Sequence, residues 1–403
     1  MDTQAQRNPS GDQTVPARQV SGYIPALDGI RGLAILMVTA YRFNIGPECD
    51  HFPGRLLFKA IEHGDLGVDL FFVLSGFLIT GILFDSKGQD HYFRNFYSRR
   101  ALRIFPLYYG FLFVTLVALP LFFSPQLDLF PEAKANQGWL WLYGANFLMG
   151  LRDDWCLGSF THFWSLSVEE HFYLLWPLVI FFCTRRQAMI ASVLGIALSV
   201  ITRSVWIQAG GSTVAAETYT FFRLDGLALG GFLALAARGP SGIQALVSWA
   251  LIGGAACAAA MLCILQLQSG RLFGLTYAIT AGFFGALLVL AVASKTSTWW
   301  GRIWSSSVLR FFGKYSYAMY VFQLPLITIM APILTSEEIC ARLGSVFAGR
   351  LAYIVLTTIV TTGAAVFSWH LYEKHFLALK TRFQPQIGTG TRAVSYVSNA
   401  IGN

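Results

Sequence analysis

The sequence predicts an all-α integral membrane protein with about ten transmembrane helices. Of its 403 residues, 55% are hydrophobic and 12% are charged, whereas a soluble domain carries about 25% charged residues. About 20 apolar helical residues cross the roughly 30 Å hydrocarbon core of a bilayer. The apolar stretches are continuous rather than alternating, which favours helices over a β-barrel. We predict spans near residues 28–45, 66–84, 104–123, 165–183, 188–208, 221–237, 247–267, 273–294, 315–333 and 350–372.

Polar segments flank this apolar region. Residues 1–22 lack the apolar core of a cleavable signal sequence, so we expect a disordered N-terminal tail. Residues 381–403 are again polar, which predicts a C-terminal tail after a membrane domain at 23–380. Residues 139–149 are apolar but too short to cross, so we expect them to lie in the interface or to re-enter the bilayer.

The placement of the basic residues predicts the orientation. With a cytoplasmic N-terminus, 18 of the 29 Lys and Arg residues fall on inner segments, seven on outer segments and four in or at spans. Because cytoplasmic loops carry the excess of Lys and Arg, both termini are predicted to be cytoplasmic. The net charge of +8 then needs no nucleic-acid partner.

The six cysteines match no zinc pattern and no disulfide framework, so no metal site is predicted. Cys49, Cys156 and Cys340 would face outside, where one disulfide among them is an open alternative.

Charged side chains within spans mark the candidate sites, because each costs about 2.5 to 3.5 kcal/mol on insertion scales. Span one carries Arg31 and Arg42, eleven residues or about 16 Å apart along a helix. Either arginine can be an interfacial anchor instead. Span two carries Asp69 and Ser75, and its Gly76 is predicted to serve close helix packing rather than catalysis.

A basic loop is predicted between spans two and three. Arg100 and Arg103 are three residues apart there, on one helical face at the cytoplasmic surface. Two guanidinium groups suit a phosphate, although positive-inside anchoring also explains a basic cluster at this place.

Span four is unusual because two adjacent carboxylates, Glu169 and Glu170, enter an apolar helix. They can pair with Arg42 or Arg31, or one of them can act as an acid or base. Further candidates near this span and later in the chain, each of which can instead be a helix contact, are His162, Trp164, Ser165, Arg223, Asp225, Tyr317 and Gln323.

Three segments in this order resemble acyltransferase family 3, a family of multi-pass membrane enzymes that O-acylate surface polysaccharides, lipid-linked sugars and some small natural products. They read LDGIRG, GVDLFFVLSGFLI and HFWSLSVEEHFYLLWP. The segments RRALRIFPLYY, RLDGLALG, GKYSYAMYVF and SWHLYEKHF also resemble family counterparts, so the resemblance covers about residues 23–380.

The resemblance implies transfer of an acyl group, acetyl in our expectation, to a hydroxyl of a glycan or lipid-linked acceptor. The donor substrate would be acyl-CoA, with no permanently bound cofactor, and the location would be a bacterial inner membrane. Arg100 and Arg103 would hold donor phosphates, and Arg31 would stabilise charge on the thioester oxygen or pair with a carboxylate. The implied substrate-binding residues are Arg42, Asp69, Ser75, Trp164, Ser165, Arg223, Asp225, Tyr317 and Gln323.

Two positions depart from the family pattern. Arg42 and Gln323 stand where the family has histidines. A guanidinium stays protonated and cannot accept a proton, so Glu169, Glu170 or His162 would have to supply the base. Loss of a general base costs on the order of 100- to 10,000-fold. The alternative prediction is therefore a catalytically weakened homologue that binds a donor or glycan, or serves as a scaffold.

Overall fold

The computed structural model describes residues 23–122, 129–267 and 272–383, which contain no β-strand. The predicted N-terminal tail and residues 384–403 of the predicted C-terminal tail lie outside the described residues. In chain order the α-helices are α1 (Pro25–Arg42), α2 (Phe52–Glu62), α3 (Gly67–Asp85), α4 (Tyr92–Phe113), α5 (Leu119–Phe122), α6 (Pro131–Ala135), α7 (Gln137–Trp141), α8 (Ala145–Arg152), α9 (Phe163–Phe182), α10 (Arg185–Gln208), α11 (Thr213–Thr218), α12 (Leu224–Ala236), α13 (Val247–Leu267), α14 (Phe273–Ala293), α15 (Trp299–Trp304), α16 (Ser307–Met330), α17 (Ser336–Leu343), α18 (Val346–Ser368) and α19 (Lys374–Ala378).

Every predicted span falls on a helix. The prediction of a helical membrane protein is therefore confirmed, without the number of its spans. Six helical segments within the described ranges are long and apolar enough to cross a membrane. The more polar α1, α9 and α16 and the short α12 are not among them. The number of ten spans and the cytoplasmic position of both termini therefore stay predictions. The six segments are Phe52–Asp85, Tyr92–Phe122, Arg185–Gln208, Ile243–Ile264, Phe273–Ala293 and Val346–Phe383.

Helix α4 begins twelve residues before the span predicted at 104–123. The basic segment with Arg100 and Arg103 is therefore part of a helix. Its assignment to a loop is wrong, whereas the prediction that the two arginines share a helical face is confirmed. Arg, Leu and Ala are strong helix formers, and no Gly or Pro interrupts the segment before Pro106. Membrane length alone did not reveal this extension, because the added turns are amphipathic rather than apolar.

Two helix pairs approach so closely that a side chain would not fit between them. A Cβ atom at Gly76 of α3 would lie 1.9 Å from the carbonyl oxygen of Leu227 in α12. A Cβ atom at Gly32 of α1 would lie 1.9 Å from the carbonyl oxygen of Leu309 in α16. Small residues allow such contacts between membrane helices. The prediction that Gly76 serves packing is confirmed.

Large apolar side chains cover the periphery of the bundle. Trp249 of α13 is 75% exposed and Leu194 of α10 is 62% exposed. Extensive apolar surface of this kind is typical of contact with lipid. The main apolar core lies between α3, α4, α9 and α16 and includes Tyr108, Phe163 and Met319.

The short apolar stretch that was expected to lie in the interface or to re-enter the bilayer does not form a span. The apolar stretch 139–149 is divided between α7 and α8, and both helices are too short to cross a bilayer.

All six cysteines are free thiols, so the disulfide left open among Cys49, Cys156 and Cys340 is absent from the described residues.

Candidate active site

A cavity of about 410 Å³ lies between α1, α3, α4, α9 and α16. Its mouth is at the end of the bundle where α1 begins and α3 ends, with Tyr23, Gln89 and Arg238 on its rim. Its walls reach Ser165, in the first turn of α9, and Tyr320, halfway along α16. The cavity therefore joins the predicted cytoplasmic end of the bundle to its middle.

Besides Arg238 on the rim, four arginines line this cavity. Arg99, Arg100 and Arg103 come from α4, where Arg103 lies three residues after Arg100 and four after Arg99 and so shares a helix face with each of them. Arg31 comes from α1, where its guanidinium donates a 2.8 Å hydrogen bond to Asp28. The cavity wall thus carries a concentration of positive charge along its length.

The carboxylates of span four face these arginines. Glu169 and Glu170 both line the cavity. The Glu169 carboxylate interacts with the hydroxyls of Ser75 and Tyr173, and those two hydroxyls are hydrogen-bonded to each other. The Arg100 guanidinium lies over the Tyr173 ring, 4.1 Å from its centroid, and acts electrostatically on both glutamates. A carboxylate, two hydroxyls and a guanidinium therefore meet on one wall.

A second set of hydroxyls lies deeper. The hydroxyl oxygens of Ser165 and Tyr320 are 2.6 Å apart, and the Tyr320 hydroxyl donates to the backbone carbonyl of His162 at 3.0 Å. Tyr317 lines the cavity and donates a 2.9 Å hydrogen bond to the Ile104 carbonyl of α4. These contacts join α9, α16 and α4 around the cavity.

Three further candidates lie behind this wall. His162 is fully buried, with its Nε2 3.3 Å from the carbonyl oxygen of Val321. Trp164 packs edge to face against Phe72, with ring centroids 6.0 Å apart. Gln323 is fully buried, and neither of its amide atoms has a hydrogen-bond partner in the described part of the chain. Unlike Glu169, none of the three candidates lines the cavity.

Arg42 lies at the end of α1 remote from the cavity mouth. Within the described ranges it forms no ion pair with Glu169, and its Nε has no hydrogen-bond partner. Its charge acts instead on Asp65, His162 and Tyr320. The predicted pairing of Arg42 with Glu169 or Glu170 is wrong, because Arg100 is the cation that faces those carboxylates.

The remaining candidates belong to buried ion pairs outside the cavity lining. Arg223 of the loop before α12 bonds to Asp69 of α3 at 2.6 Å. Arg203 of α10 bonds to Asp225 of α12 at 2.8 Å and also donates to the Gly274 carbonyl. We call these four charged residues the ion-pair network. Their position indicates that they hold α3, α10 and α12 together. That Asp69, Arg223 or Asp225 contacts a substrate stays a prediction.

Sequence reasoning missed Tyr173, Tyr320 and Arg99. Tyr173 lies four residues after Glu169, and that spacing places both side chains on one helix face. The spacing was thus a usable signal. Tyr320 and Arg99 gave no comparable signal, because a tyrosine in an apolar helix and an arginine in a basic cluster both have common structural roles.

Comparison with known families decides the assignment. The family model described as an acyltransferase domain, that of acyltransferase family 3, matches residues 24–370. The chain belongs to this family. The matched range contains every helix that lines the cavity. The resemblance seen in the sequence is confirmed, and the family's class is that of non-aminoacyl acyltransferases.

Several curated proteins are similar to the chain. The protein YrhL of Bacillus subtilis is 29% identical over 382 residues, covering 87% of this chain and 54% of that protein. The peptidoglycan O-acetyltransferase OatA of Listeria monocytogenes is 28% identical over 336 residues, covering 77% of this chain and 50% of OatA. The O-acetyltransferase OatA of Staphylococcus aureus is 28% identical over 331 residues, covering 76% of this chain and 51% of OatA. The chain thus spans about half the length of these relatives, and no solved structure matches it.

Proposed function

We propose that this protein is a membrane O-acyltransferase that moves an acyl group, in our proposal acetyl, from acyl-CoA to a hydroxyl of a glycan or lipid-linked acceptor. The observation that carries the proposal is the cavity itself, in which four arginines and Glu169 line one continuous space. Two relatives named O-acetyltransferases support the acetyl group, and a peptidoglycan name supports a glycan acceptor. The bacterial cell membrane is the location in which such an acceptor would be reached.

The arginines suit a donor that carries several phosphates. Guanidinium groups bind phosphate through paired, charge-assisted hydrogen bonds. Arg99 and Arg103 would bind the phosphates of the donor. Arg100 lies next to Glu169 and would contact the thioester end. Arg31, which is held by Asp28, would contribute positive charge near the mouth.

Glu169 is our choice for the general base. As the acceptor hydroxyl attacks the thioester carbonyl carbon, the Glu169 carboxylate would take the hydroxyl proton. The oxyanion of the tetrahedral intermediate would be stabilised by Arg100. The carbon–sulfur bond would then break, and the CoA thiolate would leave with the proton from Glu169, giving the ester and CoA. Ser75 and Tyr173 would hold the Glu169 carboxylate in place.

The second candidate function is a weakened homologue that binds a donor or glycan, or acts as a scaffold, without turnover. Arg42 and Gln323 favour it, because neither offers the imidazole found at these positions in the family. Against it, a carboxylate already lines the cavity beside the arginines. A scaffold would not require that costly arrangement of charge within a membrane.

Cells with and without the protein separate the two functions. We expect the acetyl-ester content of the surface glycans to fall when the gene is deleted. The wild-type protein should restore the esters, and Glu169→Gln expressed at the same level should not. Unchanged ester content after deletion would contradict the proposed acyltransferase.

A further inference from the structure

A second recess, of about 60 Å³, lies beside the mouth of the cavity. It is bounded by the end of α3, the first half of α4 and the turn Leu379–Phe383, which packs against α4. We call it the basic recess. It shares Arg99, Arg100 and Arg103 with the main cavity and adds Lys380. The carboxylate residue on its lining is Asp90, whose side chain is exposed.

Lys380 is the unusual member of this recess. It is 8% exposed, and its Nζ has no hydrogen-bond partner in the part of the chain that the structure describes. Its strongest electrostatic neighbours are all cations, namely Arg103, Arg100, Arg99 and Arg31. A buried ammonium group is costly unless an anion pairs with it. The recess therefore suits an anion that the described residues do not provide.

We propose that the basic recess binds the 3′-phosphate of CoA, so that the protein selects CoA thioesters over donors without that phosphate. This inference rests on the proposed function. CoA carries a diphosphate and, on its ribose, a separate phosphate monoester. A phosphate monoester has nearly two negative charges and three strong acceptor oxygens, and a lysine ammonium binds phosphate as a point charge.

The shared wall explains how one donor reaches both spaces. Arg99, Arg100 and Arg103 line the cavity and the recess, so the diphosphate can lie along α4 while the ribose phosphate enters the recess. The pantetheine arm then extends along the cavity toward Glu169. A donor that presents only a pantetheine phosphodiester would leave Lys380 without its anion.

The test compares two ligands that differ by this phosphate. Acetyl-CoA and acetyl-3′-dephospho-CoA are titrated by calorimetry into the full-length protein in detergent. The wild type is expected to bind acetyl-CoA on the order of 10- to 100-fold more tightly, the range of a charged hydrogen bond. In Lys380→Met most of this preference is lost, while affinity for the dephospho ligand changes by less than about 3-fold.

The control is Lys374→Met, which removes an exposed lysine six residues away and should keep the full preference. Thermal stability gives a second readout. Lys380→Met is expected to melt at the same or a higher temperature, because it removes a buried charge that repels its neighbours, whereas loss of a purely structural lysine would lower the melting temperature. If this variant does not fold, Arg99→Gln tests the same recess and should also reduce the preference.

A wild type that binds both ligands equally, or a folded Lys380→Met that keeps the full preference, would overturn the recess proposal and leave the donor proposal standing. A wild type that binds neither ligand would overturn both. Inorganic phosphate serves as a further probe. If it competes with acetyl-CoA but not with the dephospho ligand, it supports a phosphate site in the recess.

Discussion

The ion-pair network and the cavity hold their charges in opposite ways. In the network each arginine faces an aspartate, with Arg223 bonded to Asp69 and Arg203 bonded to Asp225, and all four side chains are buried. The cavity also contains two ion pairs, Arg31 with Asp28 and Arg238 with Asp85. Its other three arginines line, together with two glutamates, a space that is open to one end of the bundle. Both regions place arginine within a predicted membrane domain, where an isolated charge is costly.

This difference separates charged residues that stabilise the fold from charged residues that can bind a ligand. A buried charge that is matched within the protein needs nothing more, and its removal should affect folding. Charges that line an open space without equal counter-charge are available to a ligand, and their removal should affect binding or turnover. The following predictions test this division.

Glu169→Gln should give the largest effect. Loss of a general base is expected to lower acyl transfer on the order of 100- to 10,000-fold. The melting temperature should change little, because the Gln amide can still bond to the Ser75 and Tyr173 hydroxyls. Transfer of radiolabelled acetyl from acetyl-CoA to an N-acetylglucosamine oligosaccharide, measured with purified protein in vesicles, would check this.

Glu170→Gln is the matched control for that variant. It alters the neighbouring carboxylate, which lines the same cavity but, unlike Glu169, has no hydrogen bond to Ser75 or Tyr173 in the described residues. We expect a loss of no more than about tenfold. A larger loss in Glu170→Gln than in Glu169→Gln would move the base to Glu170.

Arg223→Met tests the network. Removing one partner of a buried ion pair is expected to destabilise the protein by about 3 to 5 kcal/mol, because Asp69 is left charged and unpaired. The double variant Arg223→Met with Asp69→Leu should recover part of this loss, since an apolar pair replaces the ion pair. Thermal unfolding in detergent measures both. Full stability of the single variant would show that the network is not structural.

Arg42 should give a smaller effect than the network arginines. Because it has no ion-pair partner among the described residues, Arg42→Gln is expected to change stability by about 1 kcal/mol or less. Arg42→His restores the family residue and should not raise the rate of acyl transfer if Glu169 is the base. A rise of tenfold or more, alone or with Gln323→His, would favour the weakened homologue.

Apolar patterning predicted the helical membrane fold, because the length of a span is set by the thickness of a bilayer. It did not predict that α4 extends back to Tyr92, since amphipathic turns at a membrane surface carry no such length signal. Charge inside spans identified Arg31 and Glu169 as candidates, and both line the cavity. The same criterion also selected Asp69 and Arg223, because a matched ion pair and a binding site have the same residue types in sequence.

Contacts between side chains of different helices were the hardest feature to predict from the sequence. The sequence offered Arg42 or Arg31 as partners of Glu169 and did not point to Arg100, because the relative depth and rotation of α1, α4 and α9 decide which cation faces it. Lys380 was overlooked because it lies where the apolar pattern ends, and its burial depends on how the turn Leu379–Phe383 folds back against α4.

Calorimetric titration of acetyl-CoA tests the central claim most directly. The claim is that the arginines of α4 that line the cavity bind a phosphate-bearing donor. Wild-type protein is expected to bind acetyl-CoA saturably, and Arg100→Gln with Arg103→Gln to bind it at least about 10- to 100-fold more weakly. Arg186→Gln, which removes an exposed arginine at the same predicted cytoplasmic end, should bind like the wild type. Equal affinity in all three proteins would contradict the account.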